Sequence, residues 1–96
     1  MATLEELRVQ LDQVDDQIVA LYEKRMELCG EVGQYKVKNG RKVFDKQREK
    51  EKLAAVASKV SSDFNKKGIQ ELYEQLMSMS RKLQYQLLVD AGALGR

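Results

Sequence analysis

Between Leu4 and Lys38 apolar residues recur at alternating steps of three and four, and no proline stands anywhere in the chain to interrupt a helix. Leu4, Leu7, Leu11, Val14, Ile18, Leu21, Leu28, Val32 and Tyr35 make up the series, which has the form of a heptad seam. Thr3 followed by Glu6 is a capping box that opens it, and Asn39-Gly40 is a strong stop. Gly30 and Gly33 are weak spots of about 1 kcal/mol each, and the sequence leaves open whether they bend the helix. A helix over about 4–38 is ~50 Å long at 1.5 Å per residue. A compact monomer of this size has a radius of gyration of only ~12–13 Å. One chain cannot cover such a seam, so the expected assembly is an intertwined helical homodimer.

Beyond the stop, Asp45 is the expected N-cap of a shorter helix over about 46–60, with Phe44 before it as a candidate staple and Leu53, Val56, Ala57 and Val60 inside. Ser61-Ser62-Asp63 ends it and starts the next. A third helix is expected over about 65–89, with apolar positions Ile69, Leu72, Leu76, Met79 and Leu83 flanked by Tyr73, Met77, Leu87 and Leu88. The fold class is all-α, with one long, one short and one medium-long helix per chain, and residues 1–96 form a single domain.

Composition narrows the chemistry. Histidine is absent and Cys29 is the only cysteine, which excludes His/Cys metal sites, histidine-activated nucleophiles and internal disulfides. Cys29 itself reads as a core or interface thiol. Catalysis must use carboxylates, Lys, Arg, hydroxyls and amides. A net charge of +2 is too small a surplus for generic nucleic-acid binding. Neither a signal peptide nor a membrane span is visible, which makes the cytoplasm the default compartment. The charge is nonetheless segregated: residues 37–68 hold 10 bases and 4 acids, against 4 bases and 8 acids over 1–36. That basic middle is either a solvated loop and helix or a field that draws in a small anion.

The informative residues are polar ones standing where the pattern wants apolar side chains, since a buried charge is costly unless an opposite one meets it. Arg25 sits on the seam between Leu21 and Leu28 and calls for a carboxylate partner or an anionic ligand. Lys36, 11 residues on, projects from nearly the same face ~16 Å away. Taken alone it is a lysine favoured by the helix dipole. Asp45, Arg48 and Glu49 share one face of the second helix, and Ser80 and Gln84 are an i, i+4 pair beside the seam of the third. Separately these are a cap, a surface ion pair and a half-exposed stripe. Together they describe a polar cavity in a helical bundle that suits a small dianion. Arg8, 17 residues before Arg25, is ~25 Å from it and reads as a surface partner of Asp12 unless a second chain brings it to the cavity.

The motifs Leu7-Arg8, Glu23-Lys24-Arg25, the run from Glu31 to Lys36, the run from Val43 to Glu49, and Ser80 with Gln84 resemble those of the all-helical AroQ-type chorismate mutases, over about residues 4–88. All eight polar positions of that family's site find a matching residue type. The resemblance implies conversion of chorismate to prephenate by an intramolecular 3,3-sigmatropic (Claisen-type) rearrangement, in phenylalanine and tyrosine biosynthesis. It implies neither a cofactor nor a metal. By similarity, Arg25 and the partner chain's Arg8 clamp the substrate carboxylates, with support from Arg48 and a hydrogen bond from Ser80. Lys36 and Gln84 donate to the ether oxygen. Glu49, with the backbone near Asp45, takes the ring hydroxyl.

Two other readings stay open on the sequence alone. A noncatalytic helical dimerisation or adaptor module uses the same seam but does not explain Arg25; the other is a regulatory fragment that binds an aromatic amino acid, or an isochorismate pyruvate lyase, of which the lyase shares the fold and the anion clamp while the fuller polar set with Glu49 and Gln84 favours the mutase. The run 87–96 ends without polar closure and resembles a cut. On that reading the chain is the N-terminal mutase segment of a bifunctional protein that also carries prephenate dehydratase.

Overall fold

The computed structural model describes residues 1–92; part of the 87–96 run, residues 93–96, lies outside the described residues. Three helices follow in order: α1 (Leu4–Lys38), α2 (Lys46–Ser58) and α3 (Asp63–Asp90). Each begins where a short polar side chain takes up an orphan amide. Thr3 Oγ1 accepts from the Glu6 amide at 3.1 Å while the Glu6 carboxylate accepts from the Thr3 amide, completing the capping box of α1. Asp45 Oδ1 accepts from the Arg48 amide at 2.9 Å, and Ser62 Oγ from the Asn65 amide at 3.1 Å. Because Ser62 is the cap, α3 starts at Asp63, earlier than the pattern of its apolar residues suggests, and α2 stops at Ser58 instead of running to 60. The start was masked because apolar periodicity begins only at Ile69, a turn and a half inside the helix.

At the other end of α1, the Asn39 side chain donates back to the Tyr35 carbonyl at 2.8 Å, and Gly40 takes φ +62°, a conformation that favours glycine. The helix runs unbroken through Gly30 and Gly33. Phe44 does not act as a staple. The position it would pack against in α2 is Glu49, and its ring instead lies 5.2 Å beneath the Arg81 guanidinium of α3.

α3 is the spine: it packs on both α1 and α2, whereas α1 and α2 do not pack on each other among the described residues. The shape is a rod of 61 × 25 × 18 Å with a radius of gyration of 17.2 Å, well above the ~12–13 Å of a compact chain this long. Its core is correspondingly thin. Val43, Val56 and Met77 are the buried apolar side chains, joined by Ser80 and Gln84. Along α1 the seam stands open, from Leu4 at 61% and Leu11 at 59% exposed to Leu21 at 68% and Tyr35 at 57%. No helix among the described residues is long and apolar enough to cross a membrane.

Candidate active site

Where α1, α3 and the start of α2 converge, a cavity of about 160 Å³ opens. Of the eight polar residues singled out from the sequence, seven line it: Arg25 and Lys36 from α1, Asp45, Arg48 and Glu49 from the α2 entrance, and Ser80 and Gln84 from α3. Arg8 does not. It lies on the exposed first half of α1, ~25 Å along the axis from Arg25, and forms no ion pair with Asp12 among the described residues.

Each side chain is placed by its element. Lys36, in the last turn of α1, donates through Nζ to the Val43 carbonyl at 2.7 Å, because the loop after Gly40 folds back and buries Val43. An ammonium has three donors, so two remain for a ligand. Arg25 Nη1 reaches Cys29 Sγ at 3.6 Å, and its guanidinium lies 5.5 Å from the Tyr73 ring centroid. A thiol and an aromatic face orient the arginine without neutralising it. Cys29 is half-buried at the cavity wall.

On α3, Gln84 Nε2 donates to Ser80 Oγ at 3.0 Å, and both residues are buried. Gln84 Oε1 is buried with no partner. A serine hydroxyl serves equally as donor or acceptor, so turning the amide end for end satisfies Oε1 on Ser80 and leaves the NH2 group as the unpartnered one. In either sense one end of this amide is unsatisfied by protein, a cost of about 1–3 kcal/mol that a ligand group of the right polarity removes. Its placement depends on Gly33. A β-carbon there would stand 3.0 Å from Gln84 Cγ and 2.8 Å from Leu87 Cδ1, so the missing side chain is what lets α3 come this close to α1.

Two charged residues of the cavity were not legible as site residues. Lys52 continues the stripe of Asp45, Arg48 and Glu49 at i+7, a spacing that does point to it. The Arg48 guanidinium pushes its amine below the usual lysine range, with burial, Lys59 and Arg25 adding to the effect. Arg81 forms an ion pair with Glu49. It escaped notice because it follows Ser80 on the rim of α3, where a charge breaks no apolar pattern.

Five cations and two carboxylates thus line the cavity. Glu49 is paired with Arg81, and Asp45 is engaged in capping α2. Arg25, Lys36, Arg48 and Lys52 have no carboxylate within ion-pair distance among the described residues. An uncompensated positive cluster facing a cavity is costly without an anion and is arranged to receive one. With no histidine in the chain, the arrangement offers hydrogen-bond donors and fixed charge in place of an activated nucleophile.

An all-helical scaffold that gathers cations and an unsatisfied amide around a small cavity defines a class of enzyme that works by binding and orienting an anionic substrate. The family model for chorismate mutase type II matches residues 7–85, and the chain belongs to that family. Its reaction is the isomerisation of chorismate to prephenate. No curated protein matches the chain at a significant level.

Proposed function

We propose that the cavity is the site of this rearrangement and that Arg25, Lys36, Arg48, Ser80, Gln84, Glu49 and Asp45 act there on chorismate, with Arg8 supplied by a second copy of the chain. The observation that carries the reading is the set of four unpaired cations surrounding the buried Ser80–Gln84 pair. Chorismate is a dianion whose reacting ends are tethered in one molecule, so catalysis needs neither a proton transfer nor a covalent intermediate. Two tasks remain: holding the flexible substrate in its compact reactive conformer, and stabilising negative charge on the ether oxygen as the C–O bond breaks.

Arg25 and Arg48 suit the first task, because the planar guanidinium fork matches a carboxylate. Ser80 adds a hydrogen bond. Lys36 and Gln84 suit the second: an ammonium with two free donors and an amide with its NH2 toward the ligand both strengthen their bonds as charge develops. Glu49, with the backbone near Asp45, accepts from the ring hydroxyl. A gain of about 10⁶-fold, or ~8 kcal/mol, at the low end for enzymes, is within reach of positioning and electrostatics together.

The homodimer rests on the open seam. A row of leucines about half exposed along a ~50 Å helix is a surface that another helix must cover in water. Beside Arg25 an apolar groove of about 400 Å³ runs between Ile18, Leu21, Ile69, Leu72 and Leu76. A partner's α1 laid along this groove in an antiparallel or crossed sense brings its Arg8 toward the cavity.

The test is the loss of chorismate absorbance with purified protein, followed by product identification. Prephenate is expected; pyruvate release instead would place the chain with the lyases. Lys36→Ala or Arg25→Ala is expected to abolish turnover with helicity and dimer mass intact, and substantial retained activity would refute the role assigned to the residue replaced. Mixing inactive Arg8→Ala and Lys36→Ala chains restores part of the activity, because one of the two sites in a mixed dimer is then wild type. A monomeric mass by light scattering, or no recovery once subunit exchange is demonstrated, sinks the shared site.

A further inference from the structure

The ion pair between Arg81 and Glu49 joins α3 to α2 across the cavity wall, and nothing in the rearrangement as described uses Arg81. Both side chains are partly enclosed, Arg81 at 29% and Glu49 at 21% exposure, so the pair is less open to water than an ordinary surface bridge. The arginine is itself anchored: its guanidinium lies 5.2 Å from the centroid of Phe44, the residue just before the α2 cap. One side chain therefore ties together α3, the loop that also holds Lys36, and the first turn of α2. On the glutamate only Oε1 is taken; Oε2 forms no hydrogen bond with protein among the described residues.

We propose that Arg81 is a positioning residue for the rearrangement: it pins Glu49 by Oε1 against the cavity wall so that Oε2 is presented, already oriented, to the ring hydroxyl of chorismate. This rests on the reading of Glu49 as the hydroxyl's acceptor. A glutamate has three side-chain torsions, and a carboxylate free to rotate must be immobilised each time substrate binds. Fixing it in advance removes that cost from the bound state. An arginine does this better than a lysine, because its planar fork and its stack on Phe44 fix a direction as well as a charge.

The test is a double-mutant cycle on the full chain, with chorismate turnover as readout and helicity and mass as controls. Glu49→Ala is expected to lower kcat/KM. In the wild-type background Arg81→Met is expected to lower it by about 10-fold or more, mostly through a raised KM because the ordering cost falls on substrate binding, and in the Glu49→Ala background by less than about 2-fold. Arg81→Lys, which keeps the charge but loses the fork, recovers only part of the loss. Equal losses from Arg81→Met in both backgrounds, or full recovery by lysine, would mean that Arg81 acts only through the general field or through folding, and the proposal is overturned while Glu49 keeps its role. An unchanged rate in Arg81→Met overturns it too. If Glu49→Ala is itself without effect, the reading of Glu49 is what fails.

Discussion

Replacing Gly33 by alanine separates the stability of this bundle from the placement of the Gln84 amide proposed to act on the ether oxygen. Alanine is the better helix former by about 1 kcal/mol, and Gly33 has ordinary helical backbone angles, so α1 taken alone would gain. The new β-carbon meets Leu87 Cδ1 at 2.8 Å, but that methyl is the end of a flexible side chain and can turn away. Gln84 Cα, at 3.5 Å, is in ordinary contact, so the α3 backbone need not move. Gln84 Cγ, at 3.0 Å, must retreat by roughly 0.5 Å to reach a normal carbon–carbon separation. Cγ is the lever on which the amide turns, and the amide end swings by up to about twice that distance. Overpacking of this kind costs about 1–3 kcal/mol, which leaves a net loss of about 0–2 kcal/mol after the helix gain is subtracted. A displacement of about 1 Å in a catalytic group can cost 10²-fold in rate. The expected outcome is a fall in kcat of about 10- to 100-fold, with KM little changed and with urea unfolding shifted by no more than this small net loss. A kcat within about 3-fold of wild type in a folded protein would show that Gln84 is not held by this contact.

Other outcomes follow from the same site. Gln84 is a neutral donor, so activity should be nearly level between pH 6 and 8; Gln84→Glu donates only when protonated and should be active chiefly on the acid side, as a pH–rate profile of the two proteins will show. Lys52→Gln relieves repulsion among like charges, so thermal unfolding should move slightly upward while KM for chorismate rises several-fold. The sign for pH agrees: a lysine amine held below its usual range in the fold binds fewer protons there than in the unfolded chain. Its penalty is therefore fully present at neutral pH and fades as pH rises through the folded value toward the unfolded one, and denaturation at graded alkaline pH should lose that dependence in Lys52→Gln.

Helix starts were legible at Thr3, where a capping box adjoins an apolar series, and at Asp45, which follows the Asn39-Gly40 stop with Phe44 before it; the start at Ser62 was obscured because the regular apolar series of α3 sets in only at Ile69. The cavity's cations were legible for a different reason: Arg25 stands on an apolar seam, and a charge in that position demands an explanation from spacing alone. Lys52 could have been found, since it extends the Asp45, Arg48 and Glu49 stripe by helical spacing, whereas Arg81 violates no pattern and only the folded arrangement shows that it faces the same space. Gly33 was visible as a residue but not as a contact. In the sequence it is a soft point in a helix, and only the approach of Gln84 and Leu87 reveals it as a notch. Arg8 marks the limit of one chain, since its distance from Arg25 follows from helix rise but the destination proposed for it requires a second copy.

Because α1 and α2 meet only through α3 and the connecting loop, the cavity is a gap between two walls that lean on a common post. On the proposed reading, a dianion gripped by Arg25 and Lys36 on one wall, with its hydroxyl held by Glu49 on the other, would supply the contact that the two walls do not make for themselves. Substrate would then serve as mortar as well as cargo. α2 is held to the rest of the described residues by its packing on α3, around the buried Val56, so its amides should exchange with solvent more slowly once the cavity is filled.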